Sequence, residues 1–560
     1  MTQRALPNKF HAALNLYRLS VKRTAGITLL LTVFSLLFCP GYVIMEINRE
    51  RTYANVSNIS GKIVNFAEFY PLLIVMATVA TTAAALLYLF INFSFLYSRS
   101  SSDFFHALPV KRGGLLFSRF AASVVPIMLP IAITYISMGC ITKLKYVTGS
   151  VKPIALGFCA NVLVMLACCA FSLIFIVCAG SVFDLILSFF TFNAGTLLLQ
   201  IINAELINQF LFGSVTADYS KLLLHSSPFY YAFAQLFSLR KFTSTKLLMF
   251  FGIKLLILAA ISLIAAFLLY NRRRSEKSGV TYAYKFLYVI CLFIVGFIGA
   301  YCLGIIFSSG EYTVSFWIFA ALGALLSAVT FGAISDRGFK TVKKSLITGG
   351  CSFAAMVCAV VILITGGFGY ASRIPKKENI SSASLTLFGS DGMLEFKDPA
   401  AIIRLHEKII ENRSLKNDEG GYIAIDYNLK NGDAVRRQYY IDYNKYKDLL
   451  LPLYKSDEYI ESLKKEFFKD DIYDVYVDVE YKSANGVLST EEIRTLITAY
   501  ISDLPNAEGG VVTGENAKFI SINYRSAKNY NYCGLYIENS FKNTLAVIDS
   551  LPLNESEEEG

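Results

Sequence analysis

Few residues in this 560-residue chain have the types and spacing for chemistry, and those few point away from catalysis. The four histidines, His11, His106, His225 and His406, are far apart in sequence. No GxxxxGK[ST] loop occurs; Gly61-Lys62 is followed by isoleucine and lacks the glycine turn that cradles phosphates. GxSxG, HExxH and CxxC are absent as well, so neither a nucleophile elbow nor a metal-ligand spacing is present. No catalytic residue, metal or cofactor is expected. Charge inside apolar sequence is the next candidate, because burying an ion is costly. Glu205, beside Gln200, Asn203 and Asn208, ends one apolar run, and Lys254 lies near the start of the next. They could form an intramembrane polar pair, or each could reach the water interface.

A different stretch has the makings of a recognition element: "SSSDFFHALPVKRGGLLFSR", residues 100–119, between two apolar runs. Ser102 and Asp103 can cap a helix by satisfying free backbone N–H groups. Phe104, Phe105, Ala107 and Leu108 then form a short apolar turn, and Pro109 disfavours helical geometry at Leu108. Lys111 and Arg112 follow as a basic flank. Such an element either docks into a partner or anchors its aromatics among lipid headgroups; the residues alone leave both open.

The elements around it are those of a membrane chain. Hydrophobic residues make up 54% of the sequence and charged residues 17%, with mean hydropathy +0.49. That excludes an ordinary soluble protein of this length. A span needs about 20 apolar residues, and nine candidates lie near 24–47, 69–97, 115–141, 154–180, 185–211, 247–270, 286–308, 314–334 and 346–370. The run 154–211 is too long for one helix, and Asp184 marks its expected turn. Before the first span, Phe10, Ala13, Leu14, Tyr17 and Val21 have helical spacing among basic residues. Residues 1–23 therefore read as an amphipathic interfacial helix, with a solvated basic tail as the alternative.

Nine spans put the termini on opposite sides. With the N-terminus cytoplasmic, segments 1–23, 98–114, 271–285 and 335–345 carry 17 Lys and Arg, and the external segments carry 10. The region from Ala371 to Gly560 is then extracytoplasmic. It holds 23 Lys and Arg against 32 Asp and Glu, net −9, which leaves +19 on the rest. It reads as an α+β domain. "GYIAIDYNLKNGDAVRRQYYID" alternates like two strands around Asn431-Gly432, a strong hairpin signal. "AAIIRLHEKIIENR" and "YKDLLLPLYKSDEYIESLKKEFF" are helical, and "STEEIRTLITAYISDL" opens like a capped helix. No internal repeat is expected, and the terminal "NESEEEG" reads as disordered. Only Cys533 of the eleven cysteines lies in this region, so no disulfide can form within it.

"SDFFHALPVKRGGLLFSRF" closely resembles the loop after the second span in ATP-binding-cassette exporter permeases of the type-two class. In that family a hydrophobic turn, Leu-Pro-Val or Leu-Pro-Ile and a basic residue form the coupling helix, which enters a groove on a separate ATPase subunit. Phe104, Phe105, His106, Leu108, Pro109, Val110, Lys111 and Arg112 match that pattern by position. The external stretch 212–246 looks like the family's re-entrant helices, and "YNRRRSEKSG" resembles an ending found in Gram-positive members. Three further spans and the external domain depart from the six-span pattern and resemble a Gram-positive subgroup.

The resemblance implies an α-helical polytopic protein of the plasma membrane: interfacial helix 1–23, six-span exporter core 24–270, three added spans in 271–370, and an α+β domain in 371–560. It implies an export permease for an amphiphilic or peptide substrate, itself no enzyme. ATP would be bound by a partner ATPase, and a second or related permease copy and membrane lipids complete the assembly. Nucleic acid is not an expected partner. The alternative class is a membrane-anchored sensor or scaffold that displays the external domain and needs no ATPase.

Overall fold

The computed structural model describes residues 9–56, 66–144, 151–215, 227–238, 245–308, 312–387, 393–412, 421–469, 472–526 and 529–555. Contacts divide the chain into two compact units, one of Met1–Asn203 with Asp218–Val357 and one of Ala204–Ala217 with Cys358–Gly560.

The first part is a run of helices: α1 (Lys9–Val56), α2 (Phe66–Phe93), α3 (Arg99–His106), α4 (Arg112–Leu144), α5 (Val151–Cys178), α6 (Val182–Phe210), α7 (Pro228–Ser238), α8 (Thr245–Arg272), α9 (Lys285–Phe307), α10 (Val314–Asp336) and α11 (Val342–Ile364). Among the described residues, nine of these, all but α3 and α7, are long and apolar enough to cross a membrane. They coincide one for one with the nine expected spans. Their outer faces carry exposed stripes, such as Ile257, Ile261, Ile264 and Leu268 on α8. Water does not tolerate a contiguous apolar surface of that extent, whereas lipid is its natural solvent.

The helix boundaries follow local chemistry. The link Ala179–Ser181 separates α5 from α6, next to the turn expected at Asp184. Asp184 itself sits in the first turn of α6, where its backbone N–H donates to Ser181 Oγ at 3.2 Å and its carboxylate accepts from that hydroxyl at 2.5 Å. The expected interfacial segment and the first span are not separate elements. α1 runs unbroken for 48 residues with Pro40 inside it, about 72 Å at 1.5 Å per residue, far beyond a ~30 Å hydrocarbon layer. Of the expected re-entrant region 212–246, the described part contains α7, with Ala232 and Leu236 buried, and the first two residues of α8. Residues 216–226 and 239–244 lie outside the described residues.

In the added spans small residues set the contact. A Cβ on Gly323 of α10 would stand 2.3 Å from the carbonyl oxygen of Gly299 on α9. Only glycine lets the two backbones approach so closely, the usual device where lipid offers no hydrophobic drive between helices.

The second unit is α+β, as expected. Its elements are β1 (Ile380–Thr386), β2 (Met393–Phe396), α12 (Ala400–Glu411), β3 (Gly421–Leu429), β4 (Ala434–Ile441), α13 (Lys447–Tyr454), α14 (Asp457–Phe467), β5 (Ile472–Val479), β6 (Ala484–Leu488), α15 (Thr490–Asp503), α16 (Gly510–Thr513), β7 (Ala517–Ser526), β8 (Asn529–Glu538), α17 (Lys542–Ser550) and β9 (Asn554–Glu555). The hairpin between β3 and β4 turns at Asn431-Gly432, with Gly432 at φ +87°. α15 opens with the capping box of Ser489 and Glu492. Asn554 and Glu555, expected in a disordered tail, instead pair with Asn485 and Ala484 of β6; residues 556–560 lie outside the described residues.

The expected absence of a repeat is overturned at the level of topology. The sheets run in the orders β2-β1-β3-β4 and β8-β7-β5-β6-β9, so β1, β2, α12, β3, β4 and β5, β6, α15, β7, β8 trace one antiparallel path twice. The first strand of each half has a register shift where it meets the third, between Ile380 and Ser382 and between Tyr473 and Tyr476. The third strands share the pattern Ile423-x-Ile425-x-Tyr427 and Ile520-x-Ile522-x-Tyr524, all buried. Ile425 faces Leu385, and Ile522 faces Val477.

Candidate functional site

α3 is short because its sequence stops it. Its N-cap is Ser98, in an extended conformation and without a capping side-chain bond to the helix backbone. Ser102 and Asp103, expected to cap, lie inside the helix instead, and the Ser102 N–H donates to Ser98 O at 2.9 Å. The helix needs no side-chain cap because the preceding 3-10 turn, Ser94–Tyr97, leads straight into it. At the other end, the Ala107 N–H donates to Asp103 O at 3.0 Å. Pro109 then forbids a further turn, and the Val110 N–H closes a tight loop onto Leu108 O at 2.7 Å.

The two aromatic residues part company. Phe104 is 63% exposed. Phe105 is half-buried, its ring centroid 4.8 Å from that of Phe95, with the Arg119 guanidinium 4.6 Å from its own centroid. A cation over a ring in this setting is worth roughly 0.5–2 kcal/mol. Arg119, on α4, is itself buried and donates to Ser20 Oγ of α1 at 2.8 Å. The inner face of α3 is thereby tied to both α4 and α1.

His106 makes the third tie. Its Nε2 is 3.2 Å from Tyr270 Oη near the end of α8, and its Nδ1 is 3.4 Å from Ser102 Oγ. Burial, then the nearby Arg112 and Arg273, hold the imidazole below its ordinary range against the opposing pull of Asp103. It is therefore neutral near pH 7, with one ring nitrogen to donate and one to accept. Arg112 completes the fastening by donating to the carbonyls of Asn271 and Arg273, at 3.1 and 2.7 Å. A cation there offsets the free carbonyls and negative end of the α8 dipole. Lys111 and Pro109 face solvent, and Leu108 and Val110 are half-buried.

The centre of this assembly is a residue that sequence reading missed. Arg273, the first residue past α8, is 2% exposed. Its Nη1 donates to the carbonyls of Val177 at 2.6 Å and Ala179 at 2.9 Å, with Ile176 O at 3.3 Å. Its Nη2 donates to Leu96 O in the 3-10 turn before α3. One guanidinium thus closes the C-terminus of α5 and holds the root of α3. The run Arg272, Arg273 and Arg274 reads as a solvated basic cluster, but the structure sets Arg273 inward and leaves its two neighbours exposed. The only hint was its spacing: Tyr270 and Arg273 are three apart and share a helical face.

The link after α8 lies against the α5–α6 link. The N–H groups of Gly279 and Ala283 donate to the carbonyls of Gly180 and Cys178, at 2.9 and 3.0 Å, and Ala179 bridges Tyr282. Gly180 has no room for a side chain: a Cβ there would stand 1.7 Å from Val280 O.

Lys254 is exposed on α8, with Nζ 5.9 Å from the Tyr231 ring centroid. Glu205 is half-buried and belongs to the second unit. Among the described residues no three His, Cys, Asp or Glu side chains converge.

What this geometry can do is mechanical. A short helix shows one aromatic ring and a basic flank to solvent, while its inner face is fastened to α1, α4, α5 and α8. Among the described residues the class is that of a mostly helical chain with nine helices long and apolar enough to cross a membrane, compatible with a polytopic membrane protein, and an α+β unit whose sheet topology repeats. No protein family, curated protein or solved structure matches the chain.

Proposed function

We propose that the chain is the permease subunit of an ATP-binding-cassette exporter of the type-two class. α3 is its coupling helix and docks a separate ATPase subunit that binds and hydrolyses ATP. The observation that carries this reading is the division of labour within α3. Phe104 is 63% exposed and touches the edge of Phe105, whereas Phe105 and His106 fasten the helix to the ends of the spans, and Arg112, at the start of α4, ties the chain that follows to the end of α8. A membrane anchor needs only the exposed ring; a lever also needs rigid attachment. Closure of an ATPase dimer against Phe104, Pro109 and Lys111 would be passed through Arg119 and Arg273 to α1, α4, α5 and α8. The six-span core would then release an amphiphilic or peptide substrate. In this reading the protein lies in the plasma membrane with α3 cytoplasmic and the duplicated domain outside, paired with a second or related permease copy.

The test is affinity purification of the full chain from its native membrane in mild detergent. A P-loop ATPase is expected in comparable amount, and the Phe104→Ala variant should lose it while inserting normally. An intact complex without an ATPase would overturn the proposal and favour the sensor or scaffold.

A further inference from the structure

A cavity of about 300 Å³ lies among α1, α2, α4 and α5, remote from α3. That is twice the ~150 Å³ of a dry apolar cavity that holds a benzene ring. Phe34 and Phe38 of α1 and Met76 of α2 line it, and all three are also partly exposed on the outside of the helix bundle, 55%, 41% and 45%. The cavity therefore opens sideways, between α1 and α2, toward the phase that bathes the apolar helix surfaces.

Its inner wall is polar and uncharged. Thr81 Oγ1 donates to Asn161 Oδ1 at 2.9 Å, and Asn161 Nδ2 donates to Tyr135 Oη at 3.5 Å. All three residues are buried and all three line the cavity. Tyr135 accepts in this chain, and its own proton has no acceptor among the described residues. A buried hydroxyl with a proton to give calls for an acceptor. No Asp, Glu, Lys, Arg or His lines the space, so a charged headgroup or a peptide terminus would lie there unpaired.

We infer that this cavity is a lipid site that takes one acyl chain of an uncharged glycerolipid, entering between α1 and α2, with its ester carbonyl accepting from Tyr135. The walls suit a hydrocarbon chain, the spare Tyr135 hydroxyl proton suits an ester carbonyl, and the mouth faces the bilayer. The site does not depend on an ATPase partner, so it stands or falls separately from the transport proposal.

The experiment uses the full chain in phosphatidylcholine nanodiscs doped with a diazirine-tagged diacylglycerol. A diazirine-tagged alkane of the same chain length, lacking the ester, serves as the second probe. After irradiation, adducts are mapped by mass spectrometry with and without excess unlabelled diacylglycerol. Saturable adducts are expected at Phe34, Phe38 and Met76. Ala80 also lines the cavity, and Ala80→Phe should cut labelling at least fivefold by filling it. Tyr135→Phe keeps the ring and should cut diacylglycerol labelling about fivefold, the worth of one hydrogen bond, while leaving alkane labelling unchanged. If Ala80→Phe fails to fold, the split between the two probes in Tyr135→Phe decides alone. Unsaturable adducts spread evenly over the outer faces of α8 to α10 would overturn the inference. So would the absence of adducts at the cavity, whether nothing enters or a second copy of the chain covers the mouth.

Discussion

Arg273 Nη2 donates to the carbonyl oxygen of Leu96 at 2.8 Å, across 177 residues of chain. That bond joins the end of α8 to the root of α3, and the same guanidinium closes α5. Buried carbonyls left without a donor cost about 1–3 kcal/mol each. Arg273→Ala should therefore destabilise the helical unit by more than about 3 kcal/mol. Arg273→Lys should recover part of this, since an ammonium keeps the charge but not the planar fork. Exposed Arg272 and Arg274 are the controls, and their alanine variants should stay within about 0.5 kcal/mol of the parent. Thermal unfolding in detergent, with hydrogen exchange over residues 94–97 and 176–180, checks this.

Gly180 is the second fixed point. Its missing Cβ leaves room for a backbone carbonyl, that of Val280, and a backbone cannot swing aside as a side chain can. Gly180→Ala should cost about 1–3 kcal/mol and loosen the bonds from Gly279 and Ala283. Faster hydrogen exchange at those two amides is the expected readout. Unchanged exchange would mean that the two links do not hold each other.

The spans were legible because hydropathy alone fixes where a helix can cross lipid, and the tail hairpin because Asn-Gly is chemically specific. What sequence could not convey was direction. In Arg272-Arg273-Arg274 nothing local says which guanidinium turns inward, since the carbonyls that receive it lie at the end of α5, in the link after it and before α3, far away in sequence. Ser102 and Asp103 have good capping chemistry, yet the 3-10 turn upstream started the helix first. The duplicated domain hid because its halves conserve burial more than residue identity. Ile423-x-Ile425-x-Tyr427 and Ile520-x-Ile522-x-Tyr524 are the faint trace that a search for alternation across the tail would have found.

His406 gives the second unit a pH dependence. It is fully buried, with Nδ1 3.0 Å from Tyr427 Oη and Nε2 2.7 Å from Tyr439 Oη. Burial, aided by Arg437, lowers its pKa to about 4, against about 6.5 in the unfolded chain. Below pH 6.5 the unfolded chain binds the proton that the folded one refuses, so stability falls as pH falls. The loss should reach about 2 kcal/mol by pH 5 and level off below pH 4. Hydrogen exchange of the β3 and β4 amides between pH 7 and 4, normalised for intrinsic rates, should follow this curve. His406→Gln cannot titrate and should flatten it, even if it lowers stability throughout.

Phe104 and Phe105 offer the sharpest separation of structure from function, because the two rings touch edge to face, 5.4 Å between centroids, yet only Phe105 packs further into the chain. Phe105 packs between Phe95 and Arg119. Its truncation should cost about 1–3 kcal/mol, below the 3–5 kcal/mol of a fully buried ring. Phe104 is 63% exposed, so Phe104→Ala should leave thermal unfolding within about 0.5 kcal/mol of the parent. If α3 docks an ATPase, that same variant should lose the co-purifying subunit at least tenfold, because an exposed aromatic seated in a partner's pocket is the usual hot spot of an interface. Phe105→Ala would also weaken capture, but together with stability. Equal destabilisation by the two substitutions would mean that Phe104 packs within the chain. Unchanged capture by Phe104→Ala would mean that the ring serves the membrane surface and not a partner.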